Sequence, residues 1–135
     1  MYVIFEPRKT EPRRLFHFFV NRDFNHVYVM ENYVDRQVVL EPMIGGLSLR
    51  VYARDVAMAL DEIIAAGATA IVHYKQPLMF DTPRYYLRGM YTCVSAVKAL
   101  LGLSGKYFWA VTPRQLYKRL LKDARAEFMY LRRDS

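Results

Sequence analysis

The chain has 135 residues, which suits one domain that buries about two-thirds of the surface of its unfolded form and leaves no room for a second. Apolar residues make up 53% of the sequence, yet no run approaches the roughly 20 uninterrupted apolar residues of a membrane-spanning helix, so we expect no span. A single cysteine excludes an intramolecular disulfide, and three scattered histidines lack zinc-finger spacing, so we expect no metal site and no cofactor.

The net charge of +7 would attract anionic partners such as nucleic acid, a membrane surface or a cell-wall polymer, without distinguishing among them. We expect the basic residues of the last quarter to form the solvated face of a terminal helix. The amino terminus MYVIFEPRKT has its apolar run before its basic residues, the reverse of a secretory signal, so we expect no secretion signal. A lone thiol suits a reducing cytoplasm.

The first part of the chain is predicted to contain mainly strands. Residues 2–5 suit a short edge strand that Pro7 stops, and the apolar run at 15–20 leans towards helix, although its periodicity leaves a strand open. We predict a three-stranded antiparallel meander from segments rich in β-branched and aromatic residues: 26–30, 37–40 and 47–52.

From Val56 the apolar period changes to 3.6, which predicts a helix capped by Asp55 and ended by Gly67. Its inner stripe would consist of Val56, Leu60, Ile63 and Ile64. Residues 70–74 then predict a fourth strand. A loop follows that carries several tyrosines, Tyr85 to Tyr91 among them, and leads to the cysteine.

Two more helices are predicted towards the carboxyl end. Thr92 is a suitable N-cap for a helix over 93–101 that Gly102 ends, so Cys93 falls in its first turn. The final helix begins with Thr112 as N-cap, and its next residues favour a capping box. Its buried stripe is predicted to be Leu116, Leu120, Ala124 and Phe128.

Cys93 is a candidate nucleophile because a helix N-terminus carries partial positive charge and N–H donors that stabilise a thiolate. Position alone leaves a second interpretation open, since cysteine is often a small buried apolar residue. A catalytic role therefore needs a base nearby.

His26 is the candidate base, and strand alternation places it on one face with Tyr28 and Met30. If the connection from Glu31 to Arg36 is a four-residue hairpin loop, antiparallel pairing puts Glu41 opposite His26, where its carboxylate would orient the imidazole. The alternative is a strand histidine without a catalytic role and a surface acid. His17 and His73 have no acid that a predicted turn places opposite them, so we expect packing roles for both.

The order of four segments, FNHVYV, VVLEP, YTCVSAVKALLGL and TPRQLYKRL, resembles the circularly permuted branch of the NlpC-type papain-like superfamily, including small phage-encoded members. The resemblance covers the chain from about Phe24 to Leu121. It implies an α+β fold with an antiparallel sheet packed against helices, in which the histidine precedes the cysteine.

Carried over to this chain, the resemblance makes Cys93 the nucleophile, His26 the base and Glu41 the residue that orients the imidazole, with Gln37 as the fallback for that third role. The backbone N–H of Cys93 would contribute to the oxyanion hole, and Tyr91 is the suggested side-chain partner. One departure is that NlpC-type peptidases commonly have an acid or asparagine before the cysteine and a small residue after it, whereas this chain has Thr92 and Val94. The departure makes peptidoglycan a weaker expectation.

The function implied is a thiol hydrolase that cleaves an amide or isopeptide bond of a peptide or peptidoglycan-like substrate, in the cytoplasm or in association with a virion and its proteins. Two alternatives stay open. One is a catalytically inactive structural or assembly module of the same fold in a phage particle. The other is a small basic protein that binds nucleic acid through its final helix, although without an RNA-stacking signature nucleic acid is an unlikely partner. The residues facing phosphates would be Arg114, Lys118, Arg119, Lys122 and Arg125.

Overall fold

A computed structural model describes residues 1–7, 24–43, 46–52, 55–75, 92–103 and 109–132. In chain order the elements are β1 Tyr2–Glu6, β2 His26–Tyr33, β3 Arg36–Met43, β4 Gly46–Tyr52, α1 Val56–Ala65, β5 Ala70–Tyr74, α2 Cys93–Leu100, α3 Pro113–Leu120 and β6 Ala126–Leu131. The predicted α+β class with an antiparallel sheet is confirmed. The predictions for 15–20, for His17 and for the tyrosine-rich loop lie outside the described residues.

The six strands form one open sheet in the order β4-β3-β2-β1-β5-β6, and every neighbouring pair is antiparallel. The prediction of an edge strand at 2–5 was wrong, because β1 pairs on both sides: Ile4 lies opposite Tyr28 of β2 and opposite Ile71 of β5. Its continuous apolar run suits this place, since a central strand covered on both faces needs no polar alternation.

Helices cover both faces of the sheet. On one side, which we call the α1 face, α1 packs over a core that includes Ile4, Tyr28, Met30, Val39 and Ile71. On the other side, the α2–α3 face, α2 and α3 pack over a core that includes Val3, Phe5, Val27, Val29 and Val72. Strand alternation therefore decides which helix each side chain of β2 meets. None of the described helices is long and apolar enough to cross a bilayer.

The predicted meander is confirmed as β2, β3 and β4, but the loop between β2 and β3 is shorter than expected. Tyr33 pairs with Arg36, which leaves a two-residue turn of Val34 and Asp35 in place of the predicted four-residue loop. Val34 has a φ of 58°. Positive φ at the first position of a two-residue hairpin turn is normally taken by glycine, and a β-branched residue there is strained.

The helix starts follow the predicted caps. The Asp55 carboxylate accepts a hydrogen bond of 2.9 Å from the Met58 N–H, and Gly67 ends the α1 segment with a φ of 108°. Thr92 and Ser95 form a reciprocal capping box at the start of α2, as Thr112 and Gln115 do at the start of α3. Local sequence signals are enough to define these three helix starts.

The end of α3 differs from the prediction. The helix stops at Leu120, so Ala124 and Phe128 are not part of its stripe, and β6 pairs with β5 along the sheet edge. Phe128 is 45% exposed. The helical period of these apolar residues was coincidental, because the turn after Lys122 is fixed by a side-chain network that a periodicity search does not detect.

Asp123 is the centre of that network. Its two carboxylate oxygens accept bonds of 3.1 and 3.0 Å from the Arg125 guanidinium, and its Oδ2 accepts a bond of 3.2 Å from the Tyr74 hydroxyl. The Arg125 guanidinium also lies 5.0 Å from the centre of the Tyr74 ring. These contacts tie the turn after α3 to the end of β5. The bonds from Arg125, with a further one from the Tyr74 hydroxyl, hold the pKa of the Asp123 carboxyl well below its usual range.

We expect Asp123→Asn to lower the free energy of unfolding at pH 7 by about 1–3 kcal/mol, because charge-assisted bonds to a nearly buried carboxylate are lost. Since the pKa of Asp123 is lower in the folded than in the unfolded state, its contribution is present above about pH 4 and is lost as the pH falls. Urea denaturation at several pH values measures both effects. Asp61→Asn, at an exposed position of α1, is the control and should change stability by less than about 0.5 kcal/mol. Equal effects of the two substitutions would contradict the role of Asp123.

Val34→Gly is expected to raise the free energy of unfolding by up to about 1 kcal/mol, because relief of the left-handed strain exceeds the added flexibility of the unfolded chain. Asp35→Gly is the matched control: Asp35 is not among the described non-glycine residues with positive φ, so glycine there should be neutral or destabilising. Thermal unfolding of the two variants makes the comparison, and a less stable Val34→Gly variant would show that the turn is unstrained.

Candidate functional site

The candidate site lies on the α1 face, where β2 begins. His26 is the first residue of β2 and pairs with Glu6, the last residue of β1. Only 1% of the His26 side chain is exposed, and its Nδ1 is fully buried. A polar ring at such depth needs polar neighbours, because burying it without hydrogen bonds is costly.

Glu41 of β3 is the neighbour that the sequence predicted. The distance between His26 Nε2 and Glu41 Oε1 is 3.1 Å. The predicted register was nevertheless wrong: it paired Val29 with Val38, whereas the observed partner of Val29 is Leu40. Glu41 therefore lies diagonally to His26. The contact survives because a shift of two residues keeps every side chain on its original face, whereas a shift of one would have moved Glu41 to the other.

Arg50 of β4 holds the second oxygen of the same carboxylate. Its Nη2 donates a bond of 2.8 Å to Glu41 Oε2. Arg50 is roughly half exposed and Glu41 mostly buried, so the pair closes the site where it approaches solvent. The guanidinium also lies 5.9 Å from the centre of the Tyr28 ring. Glu41 is thus fixed from two sides, by an imidazole and by a guanidinium.

Tyr28 and Glu6 complete the cluster. The rings of His26 and Tyr28 are 5.9 Å apart, and the Tyr28 hydroxyl is hydrogen-bonded to the Glu6 side chain. Burial raises the pKa of Tyr28 far above its usual value, and the charge of Glu6 raises it further. The phenol therefore stays protonated at any physiological pH and donates to Glu6.

Glu6, His26 and Glu41 could together offer one ligand atom each to a metal ion, because three such atoms lie within 4.8 Å of one another. Imidazole with two carboxylates is a donor set that divalent transition metals accept. In the structure Glu41 already accepts a hydrogen bond from Arg50, and Glu6 accepts one from Tyr28. A metal would have to displace these donors from the two carboxylates.

Cys93 lies at the start of α2, as predicted, and is partly buried. It packs against the core of the α2–α3 face, the cluster that contains Val27 and Val29. Alternation along β2 points His26 to the opposite face, with Tyr28 and Met30. The structure thus brings His26 and Glu41 together and places Cys93 across the sheet from them.

The remaining predicted residues have separate locations. The side-chain amide of Gln37, the fallback for the orienting role, is buried and donates a 3.2 Å bond to Asn32 Oδ1. Tyr91 lies outside the described residues. His73 stacks on Tyr2 with ring centres 4.8 Å apart, so its expected packing role is supported. It also has an acid opposite, Glu127 of β6, which the prediction missed by extending the last helix over this strand.

Glu6 and Arg50 are the site residues that the sequence prediction missed. The position of Arg50 could have been predicted from the meander. Because β4 pairs with β3, strand alternation puts the Arg50 side chain on the same face as Val39 and Glu41. Glu6 gives no comparable local signal. Its place depends on the pairing of β1 with β2, two strands joined by nineteen residues rather than by a hairpin turn.

Comparison of the chain with protein-family models, with curated proteins and with solved structures finds no match. The resemblance to permuted papain-like enzymes therefore stays a prediction that depends on the four sequence segments.

Glu41→Gln is expected to lower the free energy of unfolding by about 1–3 kcal/mol, because it weakens the bonds to both His26 and Arg50 inside a mostly buried cluster. Arg50→Gln removes only the partner that is half exposed and should cost at most about 1 kcal/mol. Urea denaturation at neutral pH gives both values and, with the double variant, the coupling between them. Wild-type stability of Glu41→Gln would show that the cluster does not hold β2 and β3 together.

Proposed function

We propose that this chain is a thiol hydrolase that cleaves an amide or isopeptide bond of a peptide or peptidoglycan-like substrate, with Cys93 as nucleophile and His26 as base. One observation carries the proposal: α2, which begins at Cys93, packs on β2 and β3, the strands that hold the bonded His26–Glu41 pair. Nucleophile and base are thus on packed elements, with an acid already bound to the base.

The start of α2 favours thiolate formation. The reciprocal capping box of Thr92 and Ser95 fixes the first turn, so the positive end of the helix dipole stays at Cys93. Partial positive charge at that point lowers the cost of a sulfur anion. The first-turn N–H groups are also of the kind that stabilise an oxyanion during acyl transfer.

The proposed reaction has two halves. The Cys93 thiolate attacks the carbonyl carbon, a C–S bond forms, and the C–N bond breaks as the imidazolium of His26 protonates the departing amine. Water then attacks the thioester, the imidazole takes its proton, and the carboxylic acid leaves as the Cys93 thiolate and the His26 imidazolium are restored. In its resting position on the α1 face, the imidazole is oriented by Glu41. Proton transfer requires the imidazole to come within about 3 Å of the sulfur, which means that the His26 side chain turns from the α1 face towards α2.

A second candidate function is a non-enzymatic structural or assembly module, for example in a phage particle. The observation that favours it is the placement of Cys93 and His26 against opposite faces of the sheet. In that case Cys93 is an apolar packing residue and the His26 cluster is a polar clamp between strands. The two candidates differ in one measurable property, the reactivity of the thiol.

The test is the rate of iodoacetamide alkylation as a function of pH, measured by intact mass. Because the chain has one cysteine, each label reports on Cys93. The hydrolase proposal predicts rapid labelling near pH 6, well below the usual cysteine pKa of about 8.5, and a loss of at least about tenfold in His26→Ala. His73→Ala is the matched control, since it removes a histidine on another strand and should label like the wild type.

Labelling only above about pH 8, or only after denaturation, would reject the hydrolase proposal and support the structural module. The same rejection follows if His26→Ala labels like His73→Ala while both variants keep a native circular dichroism spectrum. If the thiol is activated, a panel of peptide, isopeptide and peptidoglycan substrates identifies the bond that is cleaved.

A further inference from the structure

A pocket on the outer side of α3 has no role in the proposed reaction. Its cavity volume is about 300 Å³. One aromatic ring, three cations, an amide and an aliphatic side chain line it: Trp109, Gln115, Lys118, Arg119, Leu121 and Lys122. Ligand pockets of this small size suit a single compact ligand rather than a folded partner.

Trp109 and Arg119 contact each other in the lining of the pocket. The Arg119 guanidinium lies 3.6 Å from the centre of the Trp109 ring, which is a stacked cation–π contact. Trp109 is 40% exposed although it is the only tryptophan of the chain. A stacked indole and guanidinium give a flat surface of the kind on which nucleobases stack.

Lys118 lies in the last turn of α3 and Lys122 lies two residues beyond its end, and both side chains line the pocket. Within the part of the chain that the structure describes, no carboxylate lies within ion-pair distance of either lysine, or of Arg119. Other cations are neutralised: Arg125 is bound to Asp123, and Lys75 to Glu127. The segment from 113 to 122 contains no acidic residue at all. Lys118 and Lys122 therefore leave unneutralised positive charge beside the Trp109 ring, where it can bind an anion.

We propose that this pocket binds a nucleotide unit, with the base stacked on the Trp109–Arg119 surface and the phosphate held by Lys118 and Lys122. The two requirements, a flat π surface and unneutralised cations within reach of it, are met together here. Base stacking tolerates any sequence, because every base has a π face, and phosphate contacts carry no base information. The site should therefore show little preference among bases.

The same chemistry could be supplied by a single-stranded nucleic acid or by a free nucleotide. The sequence predicted that nucleic acid was an unlikely partner because no stacking signature was recognised; Trp109 supplies the stacking residue. Arg125, one of the cations then assigned to phosphates, is excluded by its bidentate pairing with Asp123. The proposed cations are thus a subset of the predicted ones.

Trp109 makes the test direct, because its fluorescence, excited selectively over tyrosine, reports on this pocket alone. Full-length protein is titrated with a single-stranded DNA oligonucleotide, a nucleoside monophosphate, inorganic phosphate and dextran sulfate. The proposal predicts saturable quenching by the oligonucleotide or by the monophosphate, and which of the two binds at lower concentration identifies the source. Inorganic phosphate and dextran sulfate have no base to stack and should quench much less.

Variants test the role of each group, with binding of a fluorescently labelled oligonucleotide or nucleotide followed by anisotropy. Lys118→Ala and Lys122→Ala should each weaken binding several-fold and reduce the slope of log affinity against log salt by about 0.7 for a single-stranded ligand. Trp109→Ala should weaken binding about tenfold or more. Lys75→Ala removes the same charge from a lysine paired with Glu127 and should bind like the wild type.

Three results would overturn the proposal: no quenching by oligonucleotide or monophosphate at millimolar concentration, equal quenching by dextran sulfate, or the same affinity in Lys118→Ala, Lys122→Ala and Lys75→Ala. Circular dichroism spectra identify any variant that has lost its fold. Lys122 lies two residues beyond Leu120, the last residue of α3, so Lys122→Ala is the substitution least expected to disturb the helix. The outcome is independent of Cys93 reactivity, so this proposal and the hydrolase proposal can fail separately.

Discussion

The structure depends on the pairing of β1 with two strands at once. In the sheet order β4-β3-β2-β1-β5-β6, this five-residue strand lies between the meander and the β5–β6 pair, and among the described strands it alone pairs with both. Val3, Ile4 and Phe5 are fully buried, and their side chains alternate between the cores of the two faces. Burial of each such side chain contributes about 1.5–3 kcal/mol to the stability of the fold. One short apolar segment thus holds both cores together.

The same pairing builds the candidate site. In the antiparallel pair of β1 and β2, the last residue of β1, Glu6, lies opposite the first residue of β2, His26. Pairing of β2 with β3 then brings Glu41 into contact with His26. Neighbouring side chains of β2 point to opposite faces of the sheet. The polar cluster around His26 therefore lies on one face, and the helix that begins at Cys93 packs on the other. The proposed chemistry at Cys93 therefore requires the buried side chain of His26 to leave the α1 face. The pocket at α3 requires no such movement.

The sequence predicted what local chemistry specifies. The three helix starts follow from Asp55, Thr92 and Thr112, and the meander from alternating apolar segments. The prediction failed where the structure of a segment depends on a contact with a distant part of the chain. The central position of β1 depends on its pairing with β5. The end of α3 depends on the Asp123 carboxylate, which is bonded to Tyr74 of β5 and to Arg125 after the turn. The His26–Glu41 contact was predicted through a wrong register, and it holds because the error was an even number of residues.

Amide hydrogen exchange tests the central place of β1 most directly. If β1 joins the two halves of the sheet, the backbone amides in Val3 to Phe5 should exchange only through global unfolding, as slowly as the central amides of β2 and β5 and much more slowly than those of the edge strand β4. Exchange of the β1 amides at the rate of an unprotected peptide, with β2 and β5 still protected, would contradict the account and would also remove Glu6 from the candidate site.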